Sequence, residues 1–195
     1  GKPTKITDAN GVITQWQYDD LGRAIWLKNG DGTTTTTTYN WCSGSNAGCQ
    51  TSDGEKYYAV SQTTGSPSST VYYDSLNRVL RTKIGGFDGT DIFTKTKYNG
   101  LGQVTHKSEP YYQGNSIPWN TIEHDGFNRA YKFVNPDGSY REITSFNGFT
   151  QTLRNERNNT TSIHKNALGQ TKQVTDSLGS TIDYSYDQFG SLART

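Results

Sequence analysis

Polar and apolar residues alternate along most of this chain in short runs, each closed by a turn signal. VITQWQY, AIWLK, VLRTKI, DIFTKTKY, AYKFV, SYREITSF and STIDYSY have the period of two that lines one face of a strand. They are rich in the β-branched and ring-bearing residues that suit a pleated surface. DANG (8–11), NGDG (29–32), FDG (87–89), NPDG (135–138) and SLG (177–179) stand between runs and read as tight turns. No segment has a helical period. The pattern predicts an all-β fold with no significant helix, an antiparallel meander of about 14 strands.

A second kind of turn recurs as a six-residue phrase. YDDLGR (18–23), YDSLNR (73–78), YNGLGQ (98–103), HDGFNR (124–129) and YDQFGS (186–191) are clear copies. FNGFTQ (146–151) and KNALGQ (165–170) are degenerate ones. The starts at 18, 73, 98, 124, 146, 165 and 186 lie about 22 residues apart, with one long exception, which marks a repeat architecture. Column one is a large ring in most copies: Tyr18, Tyr73, Tyr98, Phe146 and Tyr186, with His124 and Lys165 in its place. Column two is Asp19, Asp74, Asn99, Asp125, Asn147, Asn166 and Asp187. Free exchange of Asp and Asn suits a side chain that hydrogen-bonds the turn backbone better than an acid catalyst or a metal ligand. Column four is always apolar (Leu21, Leu76, Leu101, Phe127, Phe149, Leu168, Phe189), and the reading is that it is buried and anchors the turn. Column five, with Gly22, Asn77, Gly102, Asn128, Gly169 and Gly190, is the left-handed position of a hairpin loop. Thr150 breaks that rule, so its copy is expected to turn differently. Each unit is then two strands and two turns, and stacked units bury what one cannot. Column-one rings are expected to ladder from strand to strand.

Composition narrows the class. Leu, Ile, Val and Phe make only 33 of 195 residues, a level that suggests disorder, but 13 Tyr and 4 Trp supply apolar surface and 28 Thr favour strands. A formal net charge of +1 gives no pull toward nucleic acid, and no apolar run is long enough for membrane insertion by a helix. The absence of Met suggests a processed protein or an excised piece of a longer one.

One domain, 1–195, is expected, with a non-repeat insertion at 41–70 inside the long interval. The insertion holds both cysteines, Cys42 and Cys49, read as a disulfide of an exported protein, the other reading being two unrelated thiols. A zinc site lacks further ligands nearby. In the loop 109–120, Tyr111, Tyr112 and Trp119 form a candidate ligand surface, or else plug one end of the sheet. His106, His124 and His164 are scattered, and no catalytic, metal or cofactor constellation emerges from spacing.

The recurring phrase and the DG turns between copies resemble the YD repeats of the Rhs family, over nearly the whole chain. The resemblance implies a strip of β-sheet that spirals into a hollow shell. In bacterial Rhs proteins and insecticidal toxin complexes such a shell encloses a C-terminal toxin; in teneurins a similar barrel belongs to an adhesion receptor. Family shells are closed by a segment with DPxG-type motifs, and this chain has no Asp-Pro dipeptide. The expectation is therefore a structural wall segment, non-enzymatic, of a secreted or cell-surface bacterial protein. Its partners would be further repeats and a toxin domain of the same polypeptide. The alternative is a module that binds a cell-surface carbohydrate or receptor. Trp16, Trp26, Trp41 and Trp119 fall at different phases of the unit, which disfavours a ligand site repeated in every unit.

Overall fold

Antiparallel hairpins make up almost all of the computed structural model, which describes residues 1–43 and 48–195. The chain divides into two units, 1–98 with 107–118, and 99–106 with 119–195, where one domain was expected.

The first unit contains β1 (Lys5–Thr7), β2 (Ile13–Tyr18), β3 (Ala24–Lys28), β4 (Thr34–Trp41), β5 (Tyr57–Thr63), β6 (Ser69–Tyr73), β7 (Val79–Gly85) and β8 (Asp91–Tyr98). Each pairs antiparallel with the next. β9 (Val104–Ser108) is shared between the units, and the short β10 (Tyr111–Tyr112) pairs with β8. The six threonines at 33–38 enter β4, where hydroxyls pair across to β5: Thr35 with Thr63 at 2.8 Å and Thr37 with Ser61 at 2.9 Å.

In the second unit β11 (Trp119–His124), β12 (Ala130–Val134), β13 (Tyr140–Asn147), β14 (Thr150–Arg154), β15 (Thr160–Lys165), β16 (Thr171–Thr175) and β17 (Thr181–Asp183) pair in sequence order. β18 (Ser185–Tyr186) and β19 (Leu192–Arg194) form a last hairpin. Cross-strand ion pairs support this unit, Lys132 with Glu123 at 3.1 Å and Arg154 with Glu142 at 2.5 Å.

The described residues thus form 19 strands rather than about 14. The excess comes from the short β1, β10 and β19, the break at Tyr184 between β17 and β18, and a hairpin hidden in the supposed insertion. That segment was set at 41–70, yet Tyr57–Thr63 and Ser69–Tyr73 are regular strands in register with their neighbours. The departure from the repeat narrows to 42–56, of which 44–47 lie outside the described residues.

The phrase starts at 18, 73, 124, 165 and 186 carry a β-bulge. Tyr18 faces Ala24 while Gln17 faces Trp26, which leaves Ile25 extra on the returning strand. Bulges of this kind sharpen the local twist. Each unit of repeat is two antiparallel strands, so the phrase turns of one compact unit share one sheet edge. In the first unit the 42–56 segment joins β4 to β5 at that same edge, in the place of a phrase turn.

Among the described residues the buried apolar ones are Ala59, Tyr72 and Phe93, all in the first unit. Among the described residues the second unit has none, because a single sheet layer leaves both faces partly open.

Candidate functional site

Most phrase turns are a three-residue loop. Asp19 donates its N–H to the carbonyl of Arg23 at 2.9 Å, and Gly22 donates back to the carbonyl of Asp19 at 2.8 Å. Gly22, Asn77, Gly102, Asn128, Gly169 and Gly190 all have φ between 63° and 82°, the left-handed residue that closes such a loop. The column-two side chain ties the interior. Oδ1 of Asp74 accepts the N–H groups of Leu76 and Arg78, both at 2.9 Å. Asp19, Asn99, Asp125, Asn166 and Asp187 do the same in their loops. The copy at 146–151 differs: Asn147 pairs with Thr150 around two residues, and the positive φ of 57° falls on Gly148.

Two expectations about the phrase are overturned. Column four is not buried: its seven residues are 58 to 84% exposed. Outside the 146–151 copy they sit at the loop tip, where the backbone N–H turns inward to the column-two oxygen and the side chain turns out. Hydrogen bonds, not apolar anchoring, hold the turn. Nor do column-one rings ladder directly. They lie on alternate strands, about 9.6 Å apart, beyond the reach of ring stacking. Among the described residues, Tyr73 is the column-one ring that stacks on another ring, Tyr57 at 4.8 Å, and Tyr57 is not in column one.

What joins one phrase to the next is column six, which sequence reading passed over. Nε of Arg23, Arg78 and Arg129 donates to Oδ2 of Asp19, Asp74 and Asp125 at 2.7, 2.6 and 2.8 Å. The same guanidinium groups lie over rings of the following unit, Tyr39 at 4.1 Å, Tyr98 at 4.7 Å and Phe146 at 3.6 Å. Where column two is Asn, column six is Gln. Asn99 donates to Oε1 of Gln103 at 2.6 Å and Asn166 to Gln170 at 2.8 Å. The free amide NH₂ then donates to the column-five carbonyl of the next phrase, Asn128 at 3.1 Å and Gly190 at 3.2 Å. Column-one hydroxyls point the other way. Tyr98 donates to the carbonyl of Val79 at 3.0 Å and Tyr186 to that of Thr171 at 2.8 Å, in each case the residue just after the preceding phrase. The signal was present in six of the seven phrases, as Asp with Arg in three and Asn with Gln in three, with Asp187 and Ser191 the exception.

These contacts set the charges. Burial works to raise the Asp74 carboxyl, but the backbone N–H and guanidinium of Arg78 and the N–H of Leu76 outweigh it and hold the group below the ordinary aspartate range. Asp19 and Asp125 are lowered by the same partners in their own loops.

The described residues of the 42–56 segment, 42–43 and 48–56, fold onto the sheet face of the first unit. A disulfide joins Cys42 and Cys49, with Cα atoms 5.8 Å apart. A 3-10 turn, Thr51–Asp53, ends at Gly54 with φ 90°. Glu55 follows, 1% exposed. Arg81 donates from Nε to its Oε1 at 2.7 Å and from Nη2 to its Oε2 at 2.9 Å, and also to the carbonyl of Gly48. The N–H of Gln50 reaches Oε2 at 2.6 Å. The guanidinium lies 3.8 Å from the Tyr72 ring centroid. Arg81 stands opposite Lys95 in the ladder, a like-charge pairing that costs stability unless each cation is matched. The segment supplies both partners, since Asp53 meets Lys95 at 2.7 Å. Cys42, Cys49 and Glu55 lie within 4.8 Å of one another, but the sulfurs are spent on each other and the carboxylate on Arg81, so the trio offers no metal site.

Beside this cap opens a cleft of about 660 Å³, with the 48–50 and 113–117 stretches as walls and Arg81, Lys83, Asp91, Phe93, Lys95 and Tyr111 in its floor. The candidate surface 111–119 is thereby divided. Tyr111 packs against Phe93 at 5.9 Å and lines the cleft. Tyr112 turns to a smaller depression with Asp88 and Thr90. Trp119 opens β11 in the second unit, edge-on to His106 at 5.8 Å.

An RHS Repeat model matches residues 1–25, the stretch that contains the first phrase. No curated protein matches the sequence. Among solved structures, TcdB2-TccC3-TEV superposes over 97% of this chain with a TM-score of 0.60 at 10% identity, covering 17% of that chain. TcdB2-TccC3-Cdc42 gives 0.58 at 12% identity over 97% of this chain and 17% of that one. TcdB2-TccC3 gives 0.55 at 13% identity over 97% and 14%. The chain thus spans 14 to 17% of the length of the chains it resembles, and at these identities the likeness is one of fold. The repeat model lies on the first phrase, the phrase recurs as far as residue 191, and the sheet is shared with these structures, so the chain is similar in repeat and in fold to YD-repeat proteins of the Rhs type.

Proposed function

We propose that the chain is a wall segment of an Rhs-type shell, in a larger secreted or surface protein of bacterial origin, and that the finished shell encloses or presents a C-terminal toxin or effector. The observation that carries the reading is the link between successive phrases: Arg78 to the Tyr98 ring and the Tyr98 hydroxyl back to Val79. Such a link extends a sheet by any number of units without needing a layer beneath it. The fold likeness supports a strip that is part of something longer, and one of the similar structures is TcdB2-TccC3 without its hypervariable C-terminal region. This function assigns no catalytic residue; the turn phrases are its working parts.

The test is limited proteolysis of the full-length parent polypeptide. A C-terminal segment that resists protease until the sheet itself unfolds supports enclosure. A segment digested at one rate in the intact protein and in the unfolded one overturns it.

A further inference from the structure

The cleft of the first unit has a composition that the wall reading does not use, and the inference drawn from it does not rest on that reading. Its floor carries three cations, and each has its own carboxylate: Arg81 with Glu55, Lys83 with Asp91 at 3.1 Å, and Lys95 with Asp53. Matched one for one, these pairs leave no excess charge to favour an anionic or a cationic ligand. A neutral ligand needs no excess charge and still finds polar valences. Each ammonium has three N–H donors, and the pairs engage one. Asp91 meets Lys83 through Oδ2, and its Oδ1 takes no other hydrogen bond among the described residues. Gln50, Gln113 and Asn115 add amide groups along the walls, and Tyr111, half-buried against Phe93, supplies ring surface in the floor. The lining is too polar for the mostly apolar ligands that typical pockets take, but about 660 Å³ is within the usual range for a small molecule.

We propose that this cleft binds a neutral oligosaccharide. Sugar C–H groups, slightly positive, pack on the electron-rich face of Tyr111, which Phe93 backs from beneath. Vicinal hydroxyls bridge Lys83 and Asp91, which are held at the right separation by their own bond, and the amides of Gln113 and Asn115 close over the outer sugar. The disulfide and the Glu55–Arg81 pair make one wall rigid before the ligand arrives, which lowers the cost of ordering it.

The experiment titrates the 195-residue chain with cellotriose, chitotriose, maltotriose and mannotriose, and with trigalacturonate as the anionic control, followed by backbone amide shifts in NMR. The expected result is saturable shifts at Gln50, Gln113 and Gly114 with at least one neutral trisaccharide and none with the anion. Tyr111→Ala and, separately, Gln113→Ala should each weaken binding about tenfold, as the loss of one good contact does. Gln113 lies in a loop, so its removal leaves the fold intact even if Tyr111→Ala disturbs β10. No shift with any neutral probe, shifts with trigalacturonate alone, or undiminished binding by Gln113→Ala in a folded chain overturns the proposal.

Discussion

The hydroxyl of Tyr39 donates to the carbonyl of Ala24 at 3.3 Å, and Arg23 lies over its ring at 4.1 Å. Those are the contacts of a column-one residue with the phrase before it. Tyr39 and Asn40 therefore begin a copy whose turn has been replaced by the capped 42–56 segment. The long interval resolves into a step of 21 residues from Tyr18 to Tyr39 and one of 34 from Tyr39 to Tyr73. Lys2 and Pro3 make the matching contacts to the first phrase, Lys2 donating to the carbonyl of Gly22 and Pro3 accepting from Tyr18.

If the hydroxyl link is what couples units, Tyr98→Phe should lower stability by about 1 kcal/mol, the net worth of one hydrogen bond. Tyr39→Phe should do the same despite standing in no legible phrase. Urea midpoints with unchanged slopes would show it. No loss at Tyr39 would mean that it is not a repeat position.

Columns two and six should be exchangeable only together. Asp74→Asn alone leaves the Arg78 guanidinium without its carboxylate and should cost about 1–2 kcal/mol. Adding Arg78→Gln builds the pairing seen at Asn99–Gln103 and should recover more than half. The pH profile follows. A carboxyl held below its unfolded value contributes stability that is present above that value and lost as pH falls through the folded pKa. The denaturant midpoint of the parent chain should therefore drop from about pH 4 downward, and the Asn/Gln double variant should lose less over the same interval.

Strands, turns and the loop chemistry of columns two and five were legible because local rules determine them: alternation gives Ile13–Tyr18, and Asp19 with Gly22 gives a hairpin loop. Column four misled because an apolar residue in every copy looks like a core position, whereas Leu21 and its equivalents ride on loop tips. The Tyr39 copy was illegible because its mark is a long-range contact, not a local pattern. The cleft was likewise hidden: Glu55 and Arg81 are 26 residues apart, and only the strand register brings Arg81 opposite Lys95.

Arg81→Met should be the most damaging single change around the cap, at about 3–5 kcal/mol, since it leaves Glu55 buried without a partner. The double variant Glu55→Leu with Arg81→Met should be less damaging than either single change. Thermal melts of the three proteins decide it, and a double variant as unstable as the sum would mean that the two residues act separately.

Replacing both cysteines, Cys42→Ser with Cys49→Ser, should cost about 2–3 kcal/mol, the closure entropy of so short a loop. Reductant should produce the same shift in the unmodified chain and none in the double variant. An unchanged midpoint would mean that the Glu55–Arg81 pair holds the cap without help.

The placement of column four gives the sharpest contrast between the two ways of holding a turn. If Leu168 anchored its hairpin, Leu168→Ser would cost several kcal/mol, as large-to-small changes in cores do. In the structure Leu168 is 83% exposed, and the loop is tied by Asn166 Oδ1, which accepts from Leu168 N–H and Gln170 N–H at 3.0 Å each. Serine keeps that N–H. The change should therefore stay within about 0.5 kcal/mol, the range of surface substitutions. Tyr72→Ala, at a ring 3% exposed beneath the Arg81 guanidinium, should cost about 3–5 kcal/mol in the same assay. Denaturant midpoints of the two variants measured side by side would separate the cases. A large loss at Leu168 would restore the apolar anchor and remove the hydrogen-bonded account of the phrase.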